Sequence, residues 1–273
     1  MTSQATNENT VIREVSITAL RIVFVFLATS SQLTTWILSG RQRYMDILSV
    51  DPFKRHGIMP MGGRSTAVKM KNGEVWVLAS TPLNEVTKNK LGELGPVKWI
   101  VGADAVHRMF LGEFKKEYPE AKVIAVDAAR VGMKNPVAFD GAWGADPPDT
   151  KYGFESDIQH CYFSGFRNKD VAFFHPESKT MIQADLLMNL PPTEQYSKTS
   201  SSGRIPILGS LITPTSWLQK KMSGWLGQDK EAMKRDVKTT LGWDFERIIP
   251  CHGDVIEKDA KAAWKSSYRV YLD

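Results

Sequence analysis

The sequence predicts an α/β protein, and three observations carry that prediction. Two short β-rich runs, 65–70 and 74–79, flank Lys71-Asn72-Gly73, and Asn-Gly is the strongest short hairpin signal. A strand, a helix and a second strand follow at 97–101, 108–118 and 122–126, in lengths that suit a parallel crossover. A second strand pair, 171–174 and 180–184, is joined by the turn Pro176-Glu177-Ser178-Lys179. With 273 residues and 42% hydrophobic content, the chain is long enough to bury a full core.

Taken in order, the first helix is expected to begin at Thr81 as N-cap with Pro82 at its first turn. The apolar spacing of Leu83, Val86, Leu91 and Leu94 then carries it to Gly95. Residues 135–153, rich in proline, glycine and aspartate and including Pro147-Pro148, read as loop. Residues 197–203 read as a polar insertion, and 208–227 as helical in their second half, with Trp217 and Trp225 over a pocket. A capped helix at 229–241, a buried strand at 247–251 and a closing helix at 259–271 complete the pattern.

The N-terminal 46 residues stand apart as an extension to a domain spanning 47–273. Between Ile17 and Leu38 the only charge is Arg21, so three readings stay open. The stretch is just long enough for about 30 Å of hydrocarbon, although Thr18, Thr29, Ser30, Ser31, Gln32, Thr34 and Thr35 dilute it. As a secretory signal it is spoiled by Glu8, Glu14 and a long polar lead. As an apolar helix or strand packed on the domain it is unremarkable. The expected location is therefore the cytoplasm, with membrane association through 17–38 as the alternative.

Composition narrows the function class. Lysine and arginine exceed aspartate and glutamate by 35 to 30, a formal charge of +5, and the basic residues are scattered rather than blocked. That argues against a nucleic-acid partner. Cys161 and Cys251 make no disulfide framework and lack zinc-finger spacing.

Three groups of polar residues fall just after predicted strands, where α/β proteins place their sites. They are Asp104 with His107 and Arg108, then Asp185, then His252. Each alone has a structural explanation, a hydrogen-bonded histidine or an aspartate cap. Together, two histidines and a carboxylate can form a three-point face on a metal with positions left for water or substrate.

At these residues the chain resembles a family of largely fungal and bacterial domains related to the metallo-β-lactamase superfamily. The resemblance runs from about Pro52 to the C-terminus. It is carried by Phe53-Lys54-Arg55-His56-Gly57, Gly62-Gly63-Arg64-Ser65-Thr66, Ala103-Asp104-Ala105-Val106-His107-Arg108, Ala184-Asp185-Leu186-Leu187 and Ile249-Pro250-Cys251-His252-Gly253-Asp254. It implies a four-layer αββα sandwich, with a site at one edge. The superfamily's His-x-His-x-Asp-His run falls on Ala103, Ala105, His107 and Arg108, and a further histidine position on Phe166. What survives is His107, Asp185 and His252, a reduced site for one zinc, iron or manganese ion. If the Arg108 guanidinium turns inward beside Asp185, its charge takes the place of a tightly held metal.

Two functions compete for this pattern. One is a metal-dependent hydrolase of a small ester, lactone, thioester or phosphoester, with Asp104 and Asp254 assisting proton transfer. The other is a non-catalytic module that binds a small molecule, Arg108 anchoring an anion and Phe110, Phe166, Trp217 and Trp225 lining a pocket. A metal-dependent nuclease is the least supported.

Overall fold

A computed structural model describes residues 10–17, 20–27, 62–133, 135–198 and 212–273. Among these residues, eleven strands form two sheets. The first holds seven strands in chain order: β1 (Thr10–Ile17), β2 (Leu20–Leu27), β3 (Gly63–Lys69), β4 (Val75–Leu78), β5 (Val97–Gly102), β6 (Lys122–Val126) and β7 (Gly141–Trp143). β1 to β4 pair antiparallel, whereas β4 to β7 are parallel. The second runs β11 (Arg247–Pro250), β10 (Thr180–Gln183), β9 (Val171–His175), β8 (Gln159–Tyr162), with β10 and β11 parallel.

The two sheets face each other across one apolar layer. Trp76 of β4 meets Phe173 of β9 edge-on at 4.9 Å between ring centroids, and Trp99 of β5 and Trp76 both contact Phe154. Strand alternation sends the neighbours of these residues outward. Gly102, at the end of β5, faces helix α2 (Leu111–Glu117) so closely that an added Cβ would sit 3.0 Å from Leu111 Cδ1. Helix α1 (Glu85–Leu94) adds Leu91 and Leu94 to the same core. On the outer face of the second sheet, Phe174, Met181 and Ile248 form a separate cluster with three helices, α3 (Trp217–Leu226), α4 (Lys230–Leu241) and α5 (Ala260–Ser267). The result is the expected four layers of helix, sheet, sheet and helix.

Most expected elements are present, and the differences have local causes. α1 begins after Asn84, not Thr81, because Asn84 Oδ1 accepts from Thr87 N at 2.9 Å while Thr81 is buried against Ser65 Oγ at 2.7 Å. α2 starts at Leu111, since residues 104–110 are held as turns by Asp104. The expected loop 135–153 contains β7, and β8 was not anticipated. Leu20–Leu27, inside the apolar N-terminal stretch, is a strand pairing with β1 and β3, which suits its β-branched and aromatic composition. The expected boundary at residue 47, like the rest of the 17–38 stretch beyond residue 27, lies outside the described residues. Among those described, no helix is long and apolar enough to cross a membrane.

Candidate metal centre

Every sequence-predicted metal ligand stands just beyond the C-terminal end of a strand. β5 ends at Gly102 and leads to Asp104 and His107, β10 ends at Gln183 and leads to Asp185, and β11 ends at Pro250 and leads to Cys251 and His252. Local hydrogen bonds aim each side chain. Asp104 Oδ1 accepts from the backbone N of Val106 and of His107, both at 2.7 Å, which turns the chain sharply and presents the His107 ring. The Gln183 amide spans the loop after β10, donating to Leu187 O at 2.7 Å and accepting from Leu187 N at 3.2 Å. Gly253 lies at φ +96, and a Cβ there would meet Asn189 O at 2.0 Å. Only glycine lets the loops after β10 and β11 touch at this point, and that contact brings His252 beside Asp185.

Asp185 is the centre of the arrangement. Its Oδ1 lies 3.1 Å from His107 Nε2 and 3.3 Å from His252 Nε2, while Oδ2 accepts from Asn168 Nδ2 at 2.7 Å. The far nitrogen of each ring is also engaged. His252 Nδ1 donates to Gly62 O at 2.6 Å, and His107 Nδ1 lies 3.5 Å from Cys251 Sγ. Asp104 Oδ2 is 3.9 Å from His107 Nε2 and has no hydrogen-bond partner, although it is fully buried. Behind these groups Asp170 accepts from Asp185 N at 2.6 Å and from Val171 N at 2.7 Å.

The electrostatics follow from burying many ionisable groups together. Burial alone would raise the Asp185 carboxyl, but the His107 and His252 rings hold it well below the usual carboxylate range. Burial likewise opposes charge on both histidines, yet Cys251 and the carboxylates raise His107 well above its ordinary value and also raise His252. The Cys251 thiol is buried too, and the two imidazoles bring it down to about 6. Asp104 moves the other way, raised by burial to about 7 despite the opposing His107 charge. Asp170 is raised well above the normal range by burial and by the charges of Asp104 and Asp185.

The structure therefore brings His107, Asp185, His252 and Asp104 together. Asp254 is committed elsewhere: its carboxylate accepts from the Thr193 hydroxyl and, at 2.8 Å, from Glu194 N. Phe166 is fully buried in the same apolar cluster as Phe163, Met233 and Leu226. Asn168, two residues on, is the residue of that turn that reaches Asp185. Arg108 is half-buried at the residue after His107. Phe110 packs on the main core, whereas Trp217 and Trp225 are exposed.

Four residues of this centre escaped the sequence reading: Cys251, Asn168, Asp170 and Arg64. Cys251 adjoins His252 in the same strand-end segment, a signal that was available. Arg64 is fully buried in β3 and donates to Pro250 O, to Gly253 O at 2.8 Å and to Glu194 Oε2 at 3.2 Å. It thereby clamps both carbonyls that flank Cys251-His252.

The donors include two groupings that could hold a transition-metal ion. Two overlapping trios, His107 with Cys251 and His252, and Asp104 with His107 and Asp185, each have ligand atoms within 4.8 Å of one another, and all are buried. Imidazole, carboxylate and thiolate together are the ligands of zinc and iron sites. The unpartnered Asp104 Oδ2 is a buried acceptor of the kind a cation satisfies.

No family model and no curated protein matches the sequence. Solved structures do match over nearly the whole chain. A metallo-β-lactamase from Pontibacter korlensis is 12% identical, covers 95% of this chain and 99% of its own, and superposes with a TM-score of 0.54. The metallo-β-lactamase FIM-1 from Pseudomonas aeruginosa, in its mono-zinc form, is 11% identical over 96% of this chain and 95% of its own, with a TM-score of 0.53. A variant flavo di-iron protein from Thermotoga maritima reaches a TM-score of 0.58 at 11% identity, and the match spans 96% of this chain and 62% of that one. At such identities the likeness speaks for architecture, and the architecture of this chain is the metallo-β-lactamase fold.

Proposed function

We propose that this protein is a metal-dependent hydrolase working with a single bound ion. The observation that carries the proposal is the convergence of His107 Nε2 and His252 Nε2 on one oxygen of Asp185, at 3.1 and 3.3 Å, with Cys251 and the unpartnered Asp104 Oδ2 beside them. His107, Asp185 and His252 would hold the ion, and the neighbouring thiol of Cys251, which groups with the two histidines, favours zinc or iron over manganese. When bound, such an ion polarises a carbonyl or phosphoryl oxygen and acidifies water to a pKa of about 7.

The chain's own residues supply the rest. Gly62 O fixes the His252 tautomer by accepting from Nδ1, and Asn168 holds Oδ2 of Asp185 so that Oδ1 faces the histidines. Asp104, with one oxygen tied to backbone and the other unengaged, is placed to take and return a proton at Oδ2. The positions corresponding to a second ion's ligands, Ala103 and Ala105, carry no donor side chain. The substrate class we assign is a small ester, lactone, thioester or phosphoester.

A panel of these four classes, assayed with the metal-loaded protein, tests the reading. Hydrolysis of at least one should vanish with a chelator, return on adding the ion, and be absent from His252→Ala under all conditions. Activity indifferent to both chelator and substitution would refute it. A second reading, a non-catalytic binding module, is favoured by the direct His107–Asp185–His252 contacts, which close the centre without further partners; full metal occupancy with no turnover of any class would select it.

A further inference from the structure

Helix α3 turns its two tryptophans outward. Its buried residues are Gln219, Ser223 and Leu226, whereas Trp217 is 70% exposed and Trp225 47% exposed. Inward, Gln219 Nε2 donates to Ser223 Oγ at 3.1 Å, and Gln219 Oε1 is buried with no hydrogen-bond partner. A helix seated on a soluble domain normally faces the other way, with its large apolar residues inward. The orientation is locked by its ends. Ser216 caps the N-terminus through Gln219 N, and beyond the C-terminus Gly227 admits the Tyr271 hydroxyl, which a Cβ would meet at 1.9 Å. Tyr271 Oη in turn donates to Ser223 O at 3.0 Å.

The exposed face is cationic as well as aromatic. Lys220 and Lys221 lie exposed between the two indoles, with Lys221 Nζ 5.8 Å above the Trp217 ring and the Arg167 guanidinium 5.0 Å above that of Trp225. Val270, 61% exposed, adjoins the helix at Gly224. From Gln195 to Gln228 the sequence contains no acidic residue, while Lys198, Arg204, Lys220 and Lys221 are basic. The first acid after the helix, Asp229, caps α4, and Asp273 at the C-terminus is paired with Arg269 at 3.1 Å. Indoles beside lysines on one face of a short helix match the headgroup region of a bilayer, where the ring is half-desolvated and the ammonium meets phosphate.

We propose that the face of α3 formed by Trp217, Lys220, Lys221 and Trp225 docks this domain onto an anionic phospholipid surface. The test compares the full chain with two variants, Trp217→Ser/Trp225→Ser and Lys220→Glu/Lys221→Glu, in co-sedimentation with phosphatidylcholine vesicles and with vesicles that also contain phosphatidylserine. Wild type should bind the anionic vesicles, release with rising salt, and shift its indole emission to shorter wavelength. Each variant should lose about tenfold or more in partition, since one lysine near such a surface is worth about fivefold. Because all four side chains are at the surface, both variants should melt like wild type. Absence of wild-type binding to either vesicle would overturn the proposal. So would binding that both variants retain, which would assign it to another segment such as 17–38. Concentration-dependent self-association abolished by the tryptophan variant, with vesicle binding unchanged, would overturn it in favour of a second copy of the chain.

Discussion

His252 and Asp185 meet at 3.3 Å through Nε2 and Oδ1, while the other ring nitrogen of His252 donates to Gly62 O at 2.6 Å. A carbonyl can only accept, so Nδ1 carries the proton in the neutral ring and Nε2 carries a lone pair. Two lone-pair atoms hold such a contact only when positive charge stands between them, as a second proton on the ring or as a metal ion that replaces it. This one relationship requires a positive charge at that point, a ring proton or a metal ion, and it sets the predictions that follow.

Asn168→Ala removes the donor that holds Asp185 Oδ2. Outer-shell partners of metal ligands are worth roughly 10- to 100-fold in affinity. Competition against a chromogenic chelator should therefore show metal affinity reduced by that range, with the fold retained. Unchanged affinity would mean that Asp170, through Asp185 N, orients the carboxylate unaided.

Arg64→Met tests the clamp on the loop that carries Cys251 and His252. Burial lowers the guanidinium to about 10, against the raising influence of Glu194, so it stays charged at neutral pH. Its loss leaves the carbonyls of Pro250 and Gly253 without this donor, at about 1–3 kcal/mol each. Denaturant unfolding should show a loss of roughly 3 kcal/mol or more, and a change below about 1 kcal/mol would mean that both carbonyls find other donors.

His160 provides a pH signature remote from the metal centre. Trp143 Nε1 donates to His160 Nδ1 at 3.2 Å, so that nitrogen is unprotonated, and Nε2 faces Glu155 at 3.5 Å. Burial lowers His160 below its ordinary value of 6.5, outweighing Glu155, which raises it. The unfolded chain therefore takes up the proton first as pH falls. The contribution of this group to stability is complete above about 6.5 and is lost as pH drops from there through the folded-state value. An NMR titration of the His160 ring should give a midpoint below 6.5; a midpoint above it would contradict the neutral assignment.

The fold was legible where periodicity and turn chemistry agree. Asn72-Gly73 marked the β3–β4 hairpin, and the apolar runs of β5, β6 and β11 announced buried strands. The three-residue β7 and the four-residue β8 carry too few residues for alternation to register, and β7 lies within a loop-like composition. In the centre, His107, Asp185 and His252 stood out because polar residues directly after apolar strands are conspicuous. Asn168 and Asp170 were not legible, because their importance arises from a contact with Asp185 that sequence spacing does not encode. Arg64 was hidden for a related reason: an arginine in a strand reads as a surface residue until the carbonyls it satisfies are seen. Phe166 aligned with a ligand position of the resembling family, yet the turn directs it into the core and gives Asn168 the inward place.

The metal content of purified protein, measured by elemental analysis on wild type and His252→Ala together, tests the central claim most directly. The account predicts about one equivalent of a transition metal in wild type, zinc or iron, and its loss in the variant. No metal in wild type, even after reconstitution with either ion, would contradict it and leave the His107–Asp185–His252 contact as a proton-held structural cluster.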